Sequence, residues 1–409
     1  MWGNAAKPQF GPLNDVKVVF SAASTAAPFG VQLLGDFGAD VVWIENALIP
    51  DVSRVGNNVA IDNDRRNCRT IALNTPTEEG KKIFLALMKD ADIFVESSKA
   101  GQWDKWGLSD QVLWEANPAL VIVHVSGFGQ TGDPYYTKRP SYDAIAQAFS
   151  GLVAQNGVTL APYIGDYMTA SYVAFACVTG LHAARRTGKG ESIDLAQYEV
   201  ILRSSNFAVD YATDHKVYAR EKKKHEHMGG WGMYAANDGK EVYICCIGGG
   251  SIKNACKFFG MPYGSEEIPK GVGILYVGSP GGILLEKNLS EFVAAHTAEE
   301  AERELLAAGI AASRIMSYED IVNNSHVKER GVFQSWENLR GKQINGAAPA
   351  PKFKNNPGKV WRPAPTIGMD NEQILSELGY GKEEIEKLYA DKVINKVDFL
   401  SLNTDKFPG

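Results

Sequence analysis

The sequence predicts an α/β protein organised around a parallel sheet, and three observations carry that expectation. Strand-like runs such as VKVVF at 16–20, ADVVWIE at 39–45, DIFV at 92–95 and ALVIVHV at 119–125 are apolar at nearly every position, as strands covered on both faces are. These runs alternate with helix-patterned segments, FGVQLLGDFG, PTEEGKKIFLALMKDA and SDQVLWEANP, the order expected of a sheet flanked by helices. The first strand, turn, helix and second strand fit within about 30 residues, the length of one βαβ unit.

The later chain reads differently. Between 127 and 165 it loosens into GFGQTGDPYYTKRPSYD, a short helical AIAQAFSGLV and a loop that reaches Asp166. The helix after Asp166 is expected to end near RRTGKGES, a basic last turn followed by glycine. Residues 205–228, closing with YAREKKKHEH, read as a polar connector, and GMYAANDGKEVYICCIGG reads as a hairpin turning at Asp238-Gly239. LSEFVAAHTAEEAERELLAAG adds helix to a smaller α+β unit, the proline-rich stretch at 349–366 suits an extended strap, and NEQILSELG and KEEIEKLYADK predict two closing helices.

Composition narrows the partners. With 42 basic and 48 acidic residues the net charge is −6, and the longest block of like charge is Lys222-Lys223-Lys224, so nucleic acid is not an expected ligand. No secretory signal and no apolar stretch of bilayer length occur, and a cytoplasmic location away from membranes is the expectation. The cysteines, Cys68, Cys177, Cys245, Cys246 and Cys256, are odd in number and contain no CxxC, which suggests reduced core thiols. His225 and His227 stand in KKKHEHMGG, a segment more like an exposed loop than a metal site, and no metal is expected.

Asp166, in APYIGDYMTASYVAF, sits where loop gives way to helix. An aspartate there is expected to cap the helix, and the helix dipole should hold its pKa at or below ~3.9. Ionised at neutral pH, it suits nucleophilic attack better than proton donation. On a thioester such an attack gives a mixed anhydride and a free thiolate, a pair that can recombine in either sense without a metal or a water-activating base.

Several stretches together resemble the family III CoA-transferases: DVKVVFSAASTAAPFGVQLLGDFGADVVWIEN at 15–46, SYDAIAQAFSG at 141–151, GDYMTA at 165–170, RRTGKGESIDLAQYE at 185–199 and ILSELGYGKEEIEKLYADKVI at 374–394. The resemblance implies a Rossmann-like large domain built from both chain ends (1–204 and 326–409), a linker at 205–228, a small α+β domain at 229–325, and an interlocked homodimer. It implies coenzyme A and acyl-CoA as substrates, with Asp166 as the nucleophile that passes CoA between carboxylic acids. Lys99 and Lys105 lie in the loop where family members carry the basic residues that hold CoA phosphates, Arg139 in TKRP is a candidate third positive contact, Thr25 lies in the first strand-to-helix loop, and Gly229, Gly230 and Gly232 correspond to a mobile glycine loop over the reacting aspartate. Within the family, the wording of VESSKAGQWDKWGLSDQVLWEANPALVIVHVSGFGQTGDP is most similar to members acting on carnitine and bile acids. Carnitine and crotonobetaine are therefore the expected acids, with bile acids or 2-hydroxy acids as the alternative.

Two other classes compete. Glu45, at the end of the second strand, stands where a nicotinamide dinucleotide's ribose would be bound, but SAASTAAP contains no GxGxxG, which argues against an oxidoreductase. A CoA-binding protein in which Asp166 is only a cap is the other.

Overall fold

The computed structural model describes residues 7–54, 60–215 and 227–397. The chain divides into two compact units, one of Met1–Val209 with Gly331–Gly409 and the other of Asp210–Arg330.

The first unit is built on six strands: β1 (Lys17–Ser21), β2 (Asp40–Asn46), β3 (Arg69–Leu73), β4 (Ile93–Glu96), β5 (Val121–Ser126) and β6 (Glu191–Ala196). They lie in the order β3-β2-β1-β4-β5-β6, every neighbour parallel. The order reverses between β1 and β4, so the loops leaving those strands diverge and open a crevice beyond the strands' carboxyl ends.

Successive side chains of each strand enter opposite cores. Val18, Phe20, Val41, Trp43, Val95 and Val123 pack with Val31 and Leu34 of helix Ala26–Asp36 and with Val173, Cys177 and Leu181 of helix Ile164–Thr187. Val19, Val42, Ile44, Ile71, Phe94 and Ile122 pack on the other face with Ile83, Phe84 and Leu87 of helix Glu78–Lys89. Ile374, Leu375, Ile385 and Leu388, from helices Asn371–Glu377 and Lys382–Ala390, complete that second core. Full burial of each such side chain contributes about 1.5–3 kcal/mol. Gly30 is required where the two helices of the first core cross, because a Cβ there would lie 2.7 Å from the Ala170 carbonyl oxygen and from Val173 Cβ.

The C-terminal segment also closes the β3 edge. Asp370 Oδ2 accepts from the Thr70 backbone N–H at 2.8 Å and Asn371 Oδ1 from that of Ala72 at 3.0 Å, occupying donors that an edge strand would leave open. Arg362 pairs with Asp370 at 3.1 Å, both side chains almost fully buried. One hairpin in this unit was not anticipated from the sequence: β10 (Phe333–Glu337) and β11 (Gln343–Ala347) pair antiparallel, with Trp336 opposite Ile344.

The second unit holds an antiparallel sheet of β7 (Trp231–Ala235), β8 (Glu241–Cys245) and β9 (Ala311–Arg314). Asp238-Gly239 forms the β7–β8 turn, with Gly239 at φ +78°. The alanine-rich helical run resolves into Pro280–Ala295 and Ala298–Ala307, separated by a capping box in which Thr297 and Glu300 satisfy each other's backbone N–H. The segment read as a polar connector is helical over Asn206–Asp214; Lys222–Lys224 and His225 lie outside the described residues. All five cysteines are unpaired thiols. Among the described residues no helix is long and apolar enough to cross a membrane.

Replacing Asp370 by alanine should leave Arg362 buried without a counter-ion and should destabilise the first unit by about 3–5 kcal/mol. Chemical denaturation followed by tryptophan fluorescence would measure it, and a loss below about 1 kcal/mol would show that the C-terminal segment does not close the sheet in this way.

Candidate active site

Asp166 is the third residue of helix Ile164–Thr187, and it neither caps the helix nor has a depressed pKa. The capping position belongs to Tyr163, in a left-handed conformation (φ +61°) with no side-chain cap. The Asp166 carboxylate turns into the protein, only 8% of the residue is exposed, and Oδ1 accepts a hydrogen bond from Gln197 Nε2 at 2.6 Å. Burial pushes its pKa up to about 6, against the lowering effect of the Gln197 hydrogen bond, and the neighbouring charge of Asp143 adds to the rise. The expectation of a dipole-stabilised, low-pKa carboxylate fails because removal from water outweighs a partial charge at the helix end.

The loop before the helix is locked from beneath. Asp143 Oδ1 accepts the Asp166 backbone N–H at 3.0 Å, and Asp143 Oδ2 accepts from Gln147 Nε2 at 2.6 Å. Gln147 is wholly buried and also exchanges hydrogen bonds with both backbone groups of Leu160. Gly165 belongs here because a Cβ would lie 2.9 Å from Asp143 Oδ1 and from Ile201 Cδ1. Helix Asp143–Phe149, the loop at Leu160 and helix Gln197–Arg203 therefore fix one carboxylate between them.

Asp166 and Gln197 line a cavity of about 280 Å³ at the carboxyl ends of β1, β4 and β5, whose other walls include Ser24, Ser98, Lys99 and Arg139. The Arg139 guanidinium sits over Phe128, Tyr136 and Tyr135, at 5.0, 5.4 and 5.6 Å from the ring centres, which holds a planar cation facing the cavity. Lys99 and Arg139 thus join Asp166 in one place. Lys105, exposed at the end of helix Gln102–Lys105, and Thr25, just before helix Ala26–Asp36, are not among the residues lining this cavity.

The β2 loop supports the cavity wall instead of lining it. Ser24, at φ +65°, donates its backbone N–H to the Asp51 carboxylate at 3.2 Å, and its carbonyl accepts from Arg65. Arg65 pairs with Asp51 at 3.8 Å, and Arg54 grips Glu45 through two hydrogen bonds of 2.7 and 2.8 Å. Arg54 and Arg65 also lie over Trp43, at 4.8 and 5.3 Å respectively. Glu45 is consumed by Arg54 and cannot serve as the ribose contact of a dinucleotide site.

Gly229, Gly230 and Gly232 lie in the second unit, where they are buried. The Gly230 N–H donates to Glu286 Oε1 at 2.6 Å, a Cβ on Gly230 would lie 2.8 Å from Leu285 Cδ2, and Gly232 is part of β7. That stretch is a packed turn running into a strand, not an open loop. Among the described residues no cluster of His, Cys, Asp and Glu is arranged to hold a metal. Sequence reasoning missed Asp143, Gln147 and Gln197, although all three stand in the quoted stretches SYDAIAQAFSG and GESIDLAQYE; a glutamine in an apolar helical face was the available signal.

A buried carboxylate and two cations thus share one cavity at the carboxyl edge of a parallel sheet. Residues 13–371 match CoA-transferase family III. The chain is 39% identical over 400 residues, 95% of its length and 98% of the relative's, to the L-carnitine CoA-transferase of Proteus mirabilis strain HI4320. In fold it is similar to a CaiB/BaiF family protein of Brucella suis, with a TM-score of 0.75 and 25% identity over 90% of this chain and 100% of that one. A Mycobacterium tuberculosis protein, at 19% identity, shares the fold with a TM-score of 0.75 over 90% of this chain and 99% of its own. The chain belongs to CoA-transferase family III.

The raised pKa carries a pH signature. A nucleophilic role for Asp166 would require the carboxylate and therefore predicts that kcat/KM falls on the acid side with a midpoint near pH 6, and that Gln197→Leu, which removes the stabilising hydrogen bond, moves that midpoint upward. An acid limb centred near pH 4 would contradict this geometry.

Proposed function

We propose that this enzyme moves coenzyme A from one carboxylic acid to another through covalent intermediates on Asp166, and that its acids are of the carnitine and crotonobetaine type. An Asp166 carboxylate oxygen attacks the carbonyl carbon of the donor acyl-CoA, the carbon–sulfur bond breaks, and CoA thiolate leaves an aspartyl–acyl anhydride. The thiolate then attacks the aspartyl carbonyl carbon, releasing the donor as its carboxylate and leaving an aspartyl–CoA thioester. The acceptor carboxylate runs the same two steps in reverse.

The observation that supports this most is the burial of Asp166 beside a second carboxylate, on the wall of a cavity shared with Lys99 and Arg139. Partial dehydration raises the nucleophilicity of a carboxylate and keeps water from the anhydride. Lys99 and Arg139 are suited to CoA phosphates, a lysine as a point charge and an arginine through its planar fork. The choice of acid follows from the relative that is named an L-carnitine CoA-transferase. A homodimer is part of the proposal, supported by Phe175 and Val178, 68% and 45% exposed on helix Ile164–Thr187.

Asparagine at 166 can keep the Gln197 hydrogen bond while removing a buried charge. Because the folded pKa is raised, the ionised form costs stability in full above about pH 6, and the cost shrinks as pH falls from there to the ordinary carboxylate value of 3.8, below which it is gone. Asp166→Asn should therefore melt higher than wild type at pH 8, with the gain shrinking below about pH 6 and gone only near pH 3.8, and should lose CoA transfer by at least about 10³-fold. Hydroxylamine added during wild-type turnover should convert Asp166 to a hydroxamate detectable by peptide mass spectrometry. Retention of transfer in the variant, or modification only elsewhere, would leave a CoA-binding protein without this chemistry.

A further inference from the structure

We propose that His124 is a positioning residue for CoA binding: a fixed cation that holds the loop after β4 in the shape that brings Lys99 to the cavity. His124 lies on β5, in register with Glu96 of β4 on one side and Asp194 of β6 on the other. Its Nδ1 is 2.7 Å from Glu96 Oε1 and its Nε2 is 3.0 Å from Asp110 Oδ1. A carboxylate oxygen can only accept, so both ring nitrogens carry hydrogen and the ring is an imidazolium. Burial works against the cation, but the two carboxylates prevail and lift its pKa to about 10.

The outer and inner ends of this chain of contacts differ in purpose. Outward, Asp110 Oδ2 accepts from Ser192 Oγ at 2.6 Å, which ties the start of helix Asp110–Ala116 to β6. Inward, Glu96 is 1% exposed and its second oxygen, Oε2, accepts both the Ser98 backbone N–H, at 2.5 Å, and Trp103 Nε1–H, at 2.8 Å. Those two bonds set the path of residues 97–103, and Ser97, Ser98 and Lys99 from that path line the Asp166 cavity. The imidazolium stands between the buried Glu96 and Asp110, and removing it would leave two carboxylates facing each other without a counter-charge. The cation never touches the reacting atoms; it acts through Glu96 on the loop. Asp194 spends its carboxylate on the N–H groups of Gln130 and Thr131, and is not the partner that holds the ring.

This inference rests on the proposed role of Lys99 in CoA binding. His124→Gln should raise KM for acyl-CoA about tenfold while kcat falls less than about threefold and KM for the acceptor acid is unchanged. Ser192→Ala, a milder change at the outer end, should raise KM for acyl-CoA about two- to threefold and serves if the glutamine variant does not fold. In wild type, nitrogen-15 NMR of the labelled imidazole should show both ring nitrogens protonated at pH 8. A neutral ring at pH 8, or an unchanged KM for acyl-CoA in folded His124→Gln, overturns the proposal. Lys99→Ala separates the two readings: if it raises KM for acyl-CoA and the His124 and Ser192 variants do not, only the His124 inference fails, and if none of the three does, the assignment of Lys99 fails as well.

Discussion

A carboxylate deprived of water and set against another carboxylate is the feature on which the rest of the site depends. Asp166 is kept in place by a single strong donor, Gln197, and its charged neighbour is Asp143, which itself is committed to the Asp166 backbone and to Gln147. Left to itself such a group would take up a proton or turn to solvent. Here the surrounding elements forbid the turn: Gly165 lets the helix approach Asp143, Gln147 pins the loop at Leu160, and Gly30 lets the helix carrying Asp166 sit close against its neighbour. The cost of ionising Asp166 is borne by those packing contacts, an arrangement in which stability is given up at the point where reactivity is needed.

The sheet topology explains why the other parts of the cavity meet there. The reversal of strand order between β1 and β4 brings the loops after β1, β4 and β5 to one edge, and the first two of these loops are each fixed by a buried ionic device. Behind the first stands the set of Asp51, Arg65, Glu45 and Arg54; behind the second stand Glu96 and His124. Ion pairs this deep add little net stability over apolar packing, but breaking one is costly, so they specify geometry more than they strengthen the fold. In this enzyme the geometry specified is that of the turns after β1 and β4, which wall the Asp166 cavity.

Much of the frame was legible in the residues. The continuous apolar runs gave parallel strands, RRTGKGES marked the helix end that Gly188 closes at φ +70°, and Asp238-Gly239 marked a hairpin turn. These signals are local, carried by neighbours in the chain. The protonation behaviour of Asp166 was not legible, because it depends on burial in the folded chain, on the charge of Asp143 and on the hydrogen bond from Gln197, which lie 23 and 31 positions away in sequence. Glu45 looked like a ribose ligand until Arg54, nine residues on, was seen to occupy it. Lys99 and Lys105 were equivalent by type, and only the path of the loop put one on the cavity and the other on the outer surface. The β10–β11 hairpin escaped notice because its strands are mostly polar and exposed, with Trp336 and Ile344 as their anchors.

The proposed chemistry requires an acceptor oxygen to pass onto the Asp166 side chain, and isotope transfer would detect it there. With an acceptor acid labelled in both carboxylate oxygens by oxygen-18, attack on the aspartyl–CoA thioester and return of the thiolate to the acceptor carbonyl would leave one labelled oxygen on Asp166 and one in the product acyl-CoA. Peptide mass spectrometry after turnover should find that label on the Asp166 side chain. Product acyl-CoA formed with Asp166 unlabelled, and the isotope found instead in the released donor acid, would show the two acids reacting directly and would contradict the account.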